Sequence, residues 1–322
     1  MSGFATVAAA LILFTAWALW SYNGPGPAAK ASSGITNVML RRGAGLNEIA
    51  SSLERAGAIH SGAIFIAAAQ VTGAARELKA GEYDFPSRAS MAQVLEDIRE
   101  GRIVRHQVTI PEGVTSEMAM EILARETALV GVAPTPPEGS ILPETYDFQR
   151  GEDRAAVLQR MMDARDKLVA QLWAQRQTGL PYTTLEEAII LASVVEKETG
   201  VASERPQVAS VFVNRLRKGM RLESDPTIIY GISKGRPLGR KILLSELTNA
   251  SNTYNTYIID GLPPTPIANP GRAALAAVMD PPRSDYLFFV ADGTGGHAFA
   301  VTYEDHQRNV EKWRAYRART GK

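Results

Sequence analysis

TLEEAIILASVVEKETG, Thr184 to Gly200, reads as a single helix, and the neighbouring segments take their meaning from it. At about 100° per residue, Leu191, Val194 and Val195 fall on the same face as Glu198, which therefore closes an apolar stripe. Glu196 is turned away by about 200° and shares the opposite side with Ser193 and Lys197, so the two nearby acids meet different surroundings. Gly200 suggests the helix end. A carboxylate at the end of an apolar stripe and close to a helix C-terminus meets desolvation and the negative end of the helix dipole. Both raise its pKa, which is the condition a general acid needs near neutral pH. Glu196, Lys197 and Glu198 also fit an ordinary solvated charge run, and this stretch alone leaves both readings open.

At 322 residues, the chain is long enough for two or three domains with cores of their own. A net charge of +1 gives no sign of a nucleic-acid partner or an acidic polymer. The absence of cysteine excludes disulfides, thiolate metal sites, a cysteine nucleophile and a cysteine-linked lipid. His60, His106, His297 and His306 lack metal-ligand spacing, so no metal or other cofactor is expected.

Phe4 to Trp20 carries no charge and ends in an aromatic cluster, Trp17, Trp20 and Tyr22. This predicts a single transmembrane anchor over residues 1–22. A cleaved signal peptide is the alternative, but the positive n-region is missing and no clear small-x-small site follows Trp20. NGPGPAAKASSG, Asn23 to Gly34, reads as flexible, so residues 23–37 are expected to form a linker.

Residues 38–110 read as an accessory module. Val38 to Leu40 forms a strand, Leu46, Ile49, Ala50 and Leu53 lie at helical spacing, Ile64 to Thr72 gives a second helix and Ala80 to Phe85 a returning strand. This strand-helix-helix-strand order resembles LysM-type modules, which bind peptidoglycan glycan; a scaffold that only positions the next domain has the same pattern. Met91 to Arg99 is amphipathic, and Arg102 to Ile110 alternates as a strand before the turn at Pro111 to Gly113. Residues 111–154 form a connecting region that includes proline-rich GVAPTPPEG and then ILPETYDF, where Glu144 and Tyr146 are candidate site residues or simply parts of a turn and strand.

Residues 155–322 read as the catalytic domain. A long helix precedes the opening stretch. Ser203 and Pro206 start another, with Val208, Val211, Phe212 and Leu216 on its apolar face. Asp225-Pro226 turns an extended run into a short helix, and Tyr286 to Thr302 forms a hairpin around DGTGG. An amphipathic helix from Tyr303 to Arg319 follows.

ASVVEKET (Ala192 to Thr199), ASERPQVASVFVNRLRKGMRLESDPTIIYG (Ala202 to Gly231), YNTY (Tyr254 to Tyr257), GLPPTPIANPG (Gly261 to Gly271) and YLFFVADGTGGHAF (Tyr286 to Phe299) together resemble the YceG-like (MltG) endolytic murein transglycosylases. The agreement runs from Leu185 to Asn309, and the anchor, LysM-like module and PETY stretch follow the family's order. The implied fold class is α+β: an N-terminal transmembrane helix, a small LysM-like α/β module and a C-terminal mixed catalytic domain. The implied activity is that of a lytic transglycosylase, a lyase that cuts the β-1,4 bond between N-acetylmuramic acid and N-acetylglucosamine in nascent strands, leaves 1,6-anhydro ends and limits strand length. In the family's EKE(S/T) motif, the glutamate before the hydroxyl residue is catalytic; here that is Glu198 before Thr199.

Asn255, Tyr254 and Tyr257, together with Thr199 and Glu196, are the expected substrate contacts, because amides bind acetamido groups and aromatic faces stack on sugar rings. Core tyrosines would show the same pattern. Glu204, Arg205, Asn214, Arg215 and Asp225 are expected to form a network that holds the site, and His297 is either a substrate contact or a hairpin histidine. The expected partners are peptidoglycan strands, the inner membrane and peptidoglycan synthases, with the catalytic domain on the extracytoplasmic side. A non-catalytic peptidoglycan-binding scaffold is the competing reading. A hydrolytic muramidase would require a second carboxylate opposite Glu198, for which Glu144 and Glu223 are candidates.

Overall fold

The computed structural model describes residues 2–321, with side chains from residue 6 onward; Met1 and Lys322, at the ends of the expected anchor and catalytic domain, lie outside the described residues. The protein is a mostly helical α+β structure whose three sheets, among the described residues, are two-stranded. It divides into two compact units: residues up to 106 together with 147–151, and residues 107–146 together with 152 onward.

The first unit begins with α1 (Ser2–Asn23), an apolar helix of 22 residues. At 1.5 Å per residue it is about 33 Å long, enough to cross a hydrocarbon core, and Leu13, Phe14 and Trp20 stand exposed along it. Its last turn meets protein, because Tyr22 packs against the core of the unit. The following segment differs from the loose linker expected of its composition. Gly26 N–H donates to the Arg88 carbonyl, Arg88 N–H to the Pro27 carbonyl and Ser87 N–H to the Gly34 carbonyl, while Ala29 N–H donates to the Ser87 hydroxyl. A Cβ on Gly26 would stand 2.1 Å from the Ala89 carbonyl oxygen. Close approach without a side chain and a run of backbone bonds turn a glycine- and proline-rich segment into a strap.

Strands β1 (Ile35–Leu40) and β2 (Gly81–Pro86) pair antiparallel, with Val38 opposite Tyr83. Between them run α2 (Leu46–Ala56), closed by Gly57 in the left-handed region, and α3 (Gly62–Val71), capped by the Ser61 hydroxyl. The expected strand-helix-helix-strand order is therefore present. α4 (Met91–Glu100), capped by Ser90, follows β2. Val38, Leu53, Phe65, Tyr83, Phe85, Val94 and Ile98 fill the core, and each large apolar side chain contributes about 2 kcal/mol by leaving water. A buried acid sits at the edge of this core. Glu82, 6% exposed, accepts from Asn37 at 3.0 Å and Arg150 at 3.0 Å, and meets His106 Nε2 at 2.7 Å. Desolvation pushes its carboxyl up, but these three partners outweigh it and hold the group below the ordinary glutamate value.

The division between the units falls within β3 (His106–Thr109) and β4 (Thr145–Phe148), which pair with each other. The chain between these strands carries α5 (Ser116–Arg125), capped by Thr115. The second unit continues with α6 (Arg154–Ala174), α7 (Leu185–Glu198), α8 (Arg205–Arg217), α9 (Asp225–Ser233), the single turn α10 (Leu244–Leu247) and α11 (Arg272–Met279). It ends with the hairpin β5 (Phe288–Ala291) and β6 (His297–Ala300), then α12 (Tyr303–Thr320). α7 is its centre, packed by α8, α9 and α11, with Leu191, Val194, Val195, Val208, Phe212, Leu275 and Val278 in one core.

Candidate active site

The helix that carries Glu198 is closed at both ends by its own sequence. Thr184 accepts the Glu187 N–H, and the Glu187 carboxylate accepts the N–H groups of Thr183 and Thr184, forming a capping box. At the other end Thr199 turns extended, and its hydroxyl accepts the Val201 N–H, so Glu198 is the last helical residue. Thr199 is buried in this turn.

Every residue from Ala188 to Glu196 is buried, so between its first and last turns α7 has no solvated face. The two-sided helix expected from the sequence, with Glu196 on a polar side, is corrected here. That side is covered by the turn after β3, where Lys197 donates to the Gly113 carbonyl. Glu196 is held by Arg205 at 2.9 Å and accepts the Gly271 N–H at 2.9 Å, while the same Arg205 nitrogen reaches Glu112 at 2.8 Å. Burial raises the Glu196 carboxyl above its usual range, against the pull of the Gly271 N–H and Arg205. With its side chain 3% exposed, Glu196 has a structural position and makes no approach to solvent.

Glu198 has fewer partners. Its Oε2 accepts from the Ser224 hydroxyl at 3.0 Å, and among the described residues no other hydrogen bond reaches its carboxylate. Desolvation is the main cause that pushes the group up to about 7; the Ser224 hydrogen bond and Arg215 pull it down, and the Asp225 charge pushes it further up. The residue nonetheless keeps a partly exposed surface.

Ser224 is the residue that sequence reasoning missed. It occupies the N-cap position of α9, yet its hydroxyl makes no cap bond and turns to Glu198 instead. Its own N–H donates to the Thr256 hydroxyl, and the Glu223 N–H to the Thr256 carbonyl, which ties the start of α9 to the 252–257 loop. The SDP sequence signals a helix start; which way the serine hydroxyl points is a tertiary matter that no local pattern carries.

The loop residues separate into two groups. Asn255 is fully buried, its amide nitrogen donates to the Glu246 and Leu247 carbonyls, and its oxygen accepts the Tyr257 N–H. It braces the loop from within, which is the position of a positioning residue and not of a sugar contact. Tyr254 stacks obliquely on Tyr230, and its hydroxyl meets Thr265 at 2.8 Å. Tyr257 is the loop residue that meets Asp225 at the start of α9. Its hydroxyl donates to Asp225 at 2.8 Å, and burial first, then Asp225 and Glu198, hold its phenol proton on.

The remaining polar residues form the expected brackets. Arg215 is buried and spends its guanidinium on the Leu287, Arg221 and Leu222 carbonyls and on Glu223. Asn214 donates to the Ser284 and Tyr286 carbonyls. Glu204 accepts the His297 N–H and meets its Nδ1 at 2.7 Å, pinning the hairpin to the turn after α7. Glu144 pairs with Arg272 and Glu223 with Arg215, so the carboxylate whose charge is felt at Glu198 is Asp225.

A model of the YceG-like family matches residues 38–312. An endolytic murein transglycosylase of Streptococcus pneumoniae strain D39 is 30% identical over 87% of this chain, which spans only 58% of that protein's length. Its counterpart in Bacillus subtilis is 26% identical, with 89% of this chain and 87% of the other covered. The 2.6 Å crystal structure of a YceG-like protein from Listeria monocytogenes matches with a TM-score of 0.54 at 26% identity, covering 86% of this chain and 99% of that one. The family model takes in the second half of β1, all of β2, the Glu198 helix and the hairpin that Glu204 pins, and on that span the chain belongs to the YceG-like family.

Proposed function

We propose that this protein is an endolytic murein transglycosylase, held in the cytoplasmic membrane by α1 with the rest of the chain on the extracytoplasmic side. Glu198 acts as the single acid and base. The observation that carries the reading is the chemistry of that residue: a carboxyl held protonated to about 7 by desolvation, on a residue that keeps some exposed surface, at the catalytic position of a motif that the sequence places in this family. The names of the pneumococcal and Bacillus relatives support it.

In the first step protonated Glu198 gives its proton to the glycosidic oxygen between N-acetylmuramic acid and N-acetylglucosamine. The C1–O bond breaks, the N-acetylglucosamine 4-hydroxyl leaves, and positive charge develops at C1. Glu198, now a carboxylate, takes the proton of the muramic C6 hydroxyl as that oxygen bonds to C1. The 1,6-anhydro ring closes, no water is consumed, and Glu198 ends protonated as it began. With Oε2 engaged by Ser224, Oε1 is the oxygen left to exchange protons with substrate. One carboxyl suffices because nucleophile and leaving group belong to one substrate, whereas hydrolysis needs a second acid to activate water or form a glycosyl intermediate.

Mass analysis of products from purified glycan strands tests this. Anhydro-ended fragments released from strand interiors, and none from Glu198→Gln, are expected; reducing ends in their place would overturn the reaction.

A further inference from the structure

Beside Glu198 the structure holds a second carboxylate that the single-glutamate reaction does not use. Asp225 is exposed and lies in the first turn of α9. Its Oδ1 accepts the Tyr257 hydroxyl at 2.8 Å, which fixes the orientation of the group. It follows Ser224, whose hydroxyl holds Glu198, and Tyr257 follows Thr256, which receives the backbone N–H groups of Glu223 and Ser224. Two adjacent pairs, Ser224-Asp225 and Thr256-Tyr257, are thus laced together, which ties the backbone before Asp225 to the serine whose hydroxyl meets Glu198. No cation neutralises it: among the described residues Asp225 forms no ion pair, and Arg215, the basic group on α8 whose charge reaches Glu198, is committed to three carbonyls and Glu223.

We propose that Asp225, oriented by the Tyr257 hydroxyl, is a positioning residue for the reaction: a fixed negative charge that keeps the Glu198 proton in place until substrate takes it. Desolvation is the first reason that the neutral acid is the resting form of Glu198, and the like charge of Asp225 adds to it. Ser224 works in the opposite sense, since its hydroxyl stabilises the Glu198 carboxylate that must exist between the two proton transfers. The groups that face Glu198 are Ser224 and Asp225 from α9, Arg215 from α8 and Tyr257 from the loop. The role assigned to Asp225 rests on the proposed transglycosylase reaction, but its electrostatic core can be measured without any substrate.

The test is a carbon-13 titration of glutamate-labelled full-length protein in detergent micelles, with the Glu198 signal assigned by its loss in Glu198→Gln. In Asp225→Asn the Glu198 midpoint is expected to fall by about one unit, a tenfold loss of proton affinity. Tyr257→Phe should give a smaller fall and Ser224→Ala a rise. Asp225→Glu restores the charge and is expected to return the midpoint most of the way, which also covers the case in which the asparagine variant fails to fold. An unchanged midpoint in Asp225→Asn, or a fall in Asp225→Glu as large as that in the asparagine variant, overturns the inference. A protein that titrates as described yet releases no anhydro products would sink the proposed reaction and leave the charge coupling standing.

Discussion

Glu82 and Glu198 are the same side chain in two kinds of interior. In the first unit Glu82 is surrounded by Asn37, His106 and Arg150, and its carboxyl stays below the usual range despite burial. In the second unit Glu198 receives one hydroxyl, from Ser224, and desolvation carries it to about 7. A buried acid given enough donors becomes a fixed anion that holds structure. One left short of donors becomes a proton carrier. Glu196 lies between the two: it has Arg205 and the Gly271 N–H, yet burial still pushes it up.

The comparison breaks first on activity. Glu198→Gln is expected to lower kcat/KM for strand cleavage at least about a thousandfold, since it removes the group used in both proton transfers; Glu82→Gln should leave the chemistry intact. A wild-type rate in Glu198→Gln would remove Glu198 from the mechanism.

The next effect is on stability, with opposite sign at the two sites. The folded protein keeps the Glu198 proton between pH 4.5 and about 7 while the unfolded chain loses it. Stability therefore falls as pH rises through that window, and the neutral glutamine escapes the cost. Glu198→Gln should exceed the wild type by up to about 3 kcal/mol at pH 8 and match it below pH 4.5. Denaturant titration at both pH values reads this.

Glu82→Gln should destabilise by about 2 kcal/mol at neutral pH, a moderate loss because Arg150 and His106 reach into water. Its folded carboxyl lies below 4.5, so the contribution is complete above that value and fades as pH falls further. Equal melting curves for this variant and the wild type at pH 7 would make the donors around Glu82 irrelevant. The smallest effect belongs to Ser224→Ala. Losing the hydroxyl that steadies the carboxylate should slow cleavage about tenfold and move the alkaline limb of the pH–rate profile upward, with little change in KM; a profile with an unmoved limb would count against it.

The helical wheel made Glu198 a candidate beside the reading of a solvated charge run, because a residue at the end of an apolar stripe is a local property of 3.6-residue periodicity. It misjudged Glu196, since the cover over that side comes from Glu112 and Gly113, more than eighty positions earlier in the chain. Asn255 had the right type for a sugar contact, but an amide that caps the carbonyls at and just after the end of α10 looks the same in sequence. The region after α1 reads as loose because composition counts glycine and proline as flexible, while the groups that bind it, the Arg88 carbonyl, the Ser87 and Arg88 N–H groups and the Ser87 hydroxyl, belong to the distant turn after β2. Donor shortage and donor surplus around a carboxylate are likewise tertiary facts, which is why Glu82 drew no attention.

The strap at residues 24–34 has a mechanical consequence. A free tether of that length would let the folded module wander over about 20 Å; bonded to Arg88 and Ser87, with Tyr22 packed against the core, it leaves almost no slack. Because the chain has no cysteine, spin labels at Ser21→Cys and Asp84→Cys can report on this cleanly. A narrow distance distribution is expected, broadening when a glycine-serine insertion is placed after Lys30, and a broad one at the outset would mean that the strap lets go. Under the proposed anchoring, the bilayer then sets the standing height and tilt of the first unit, and α1 serves as a spindle on which that unit turns at constant distance from the headgroups.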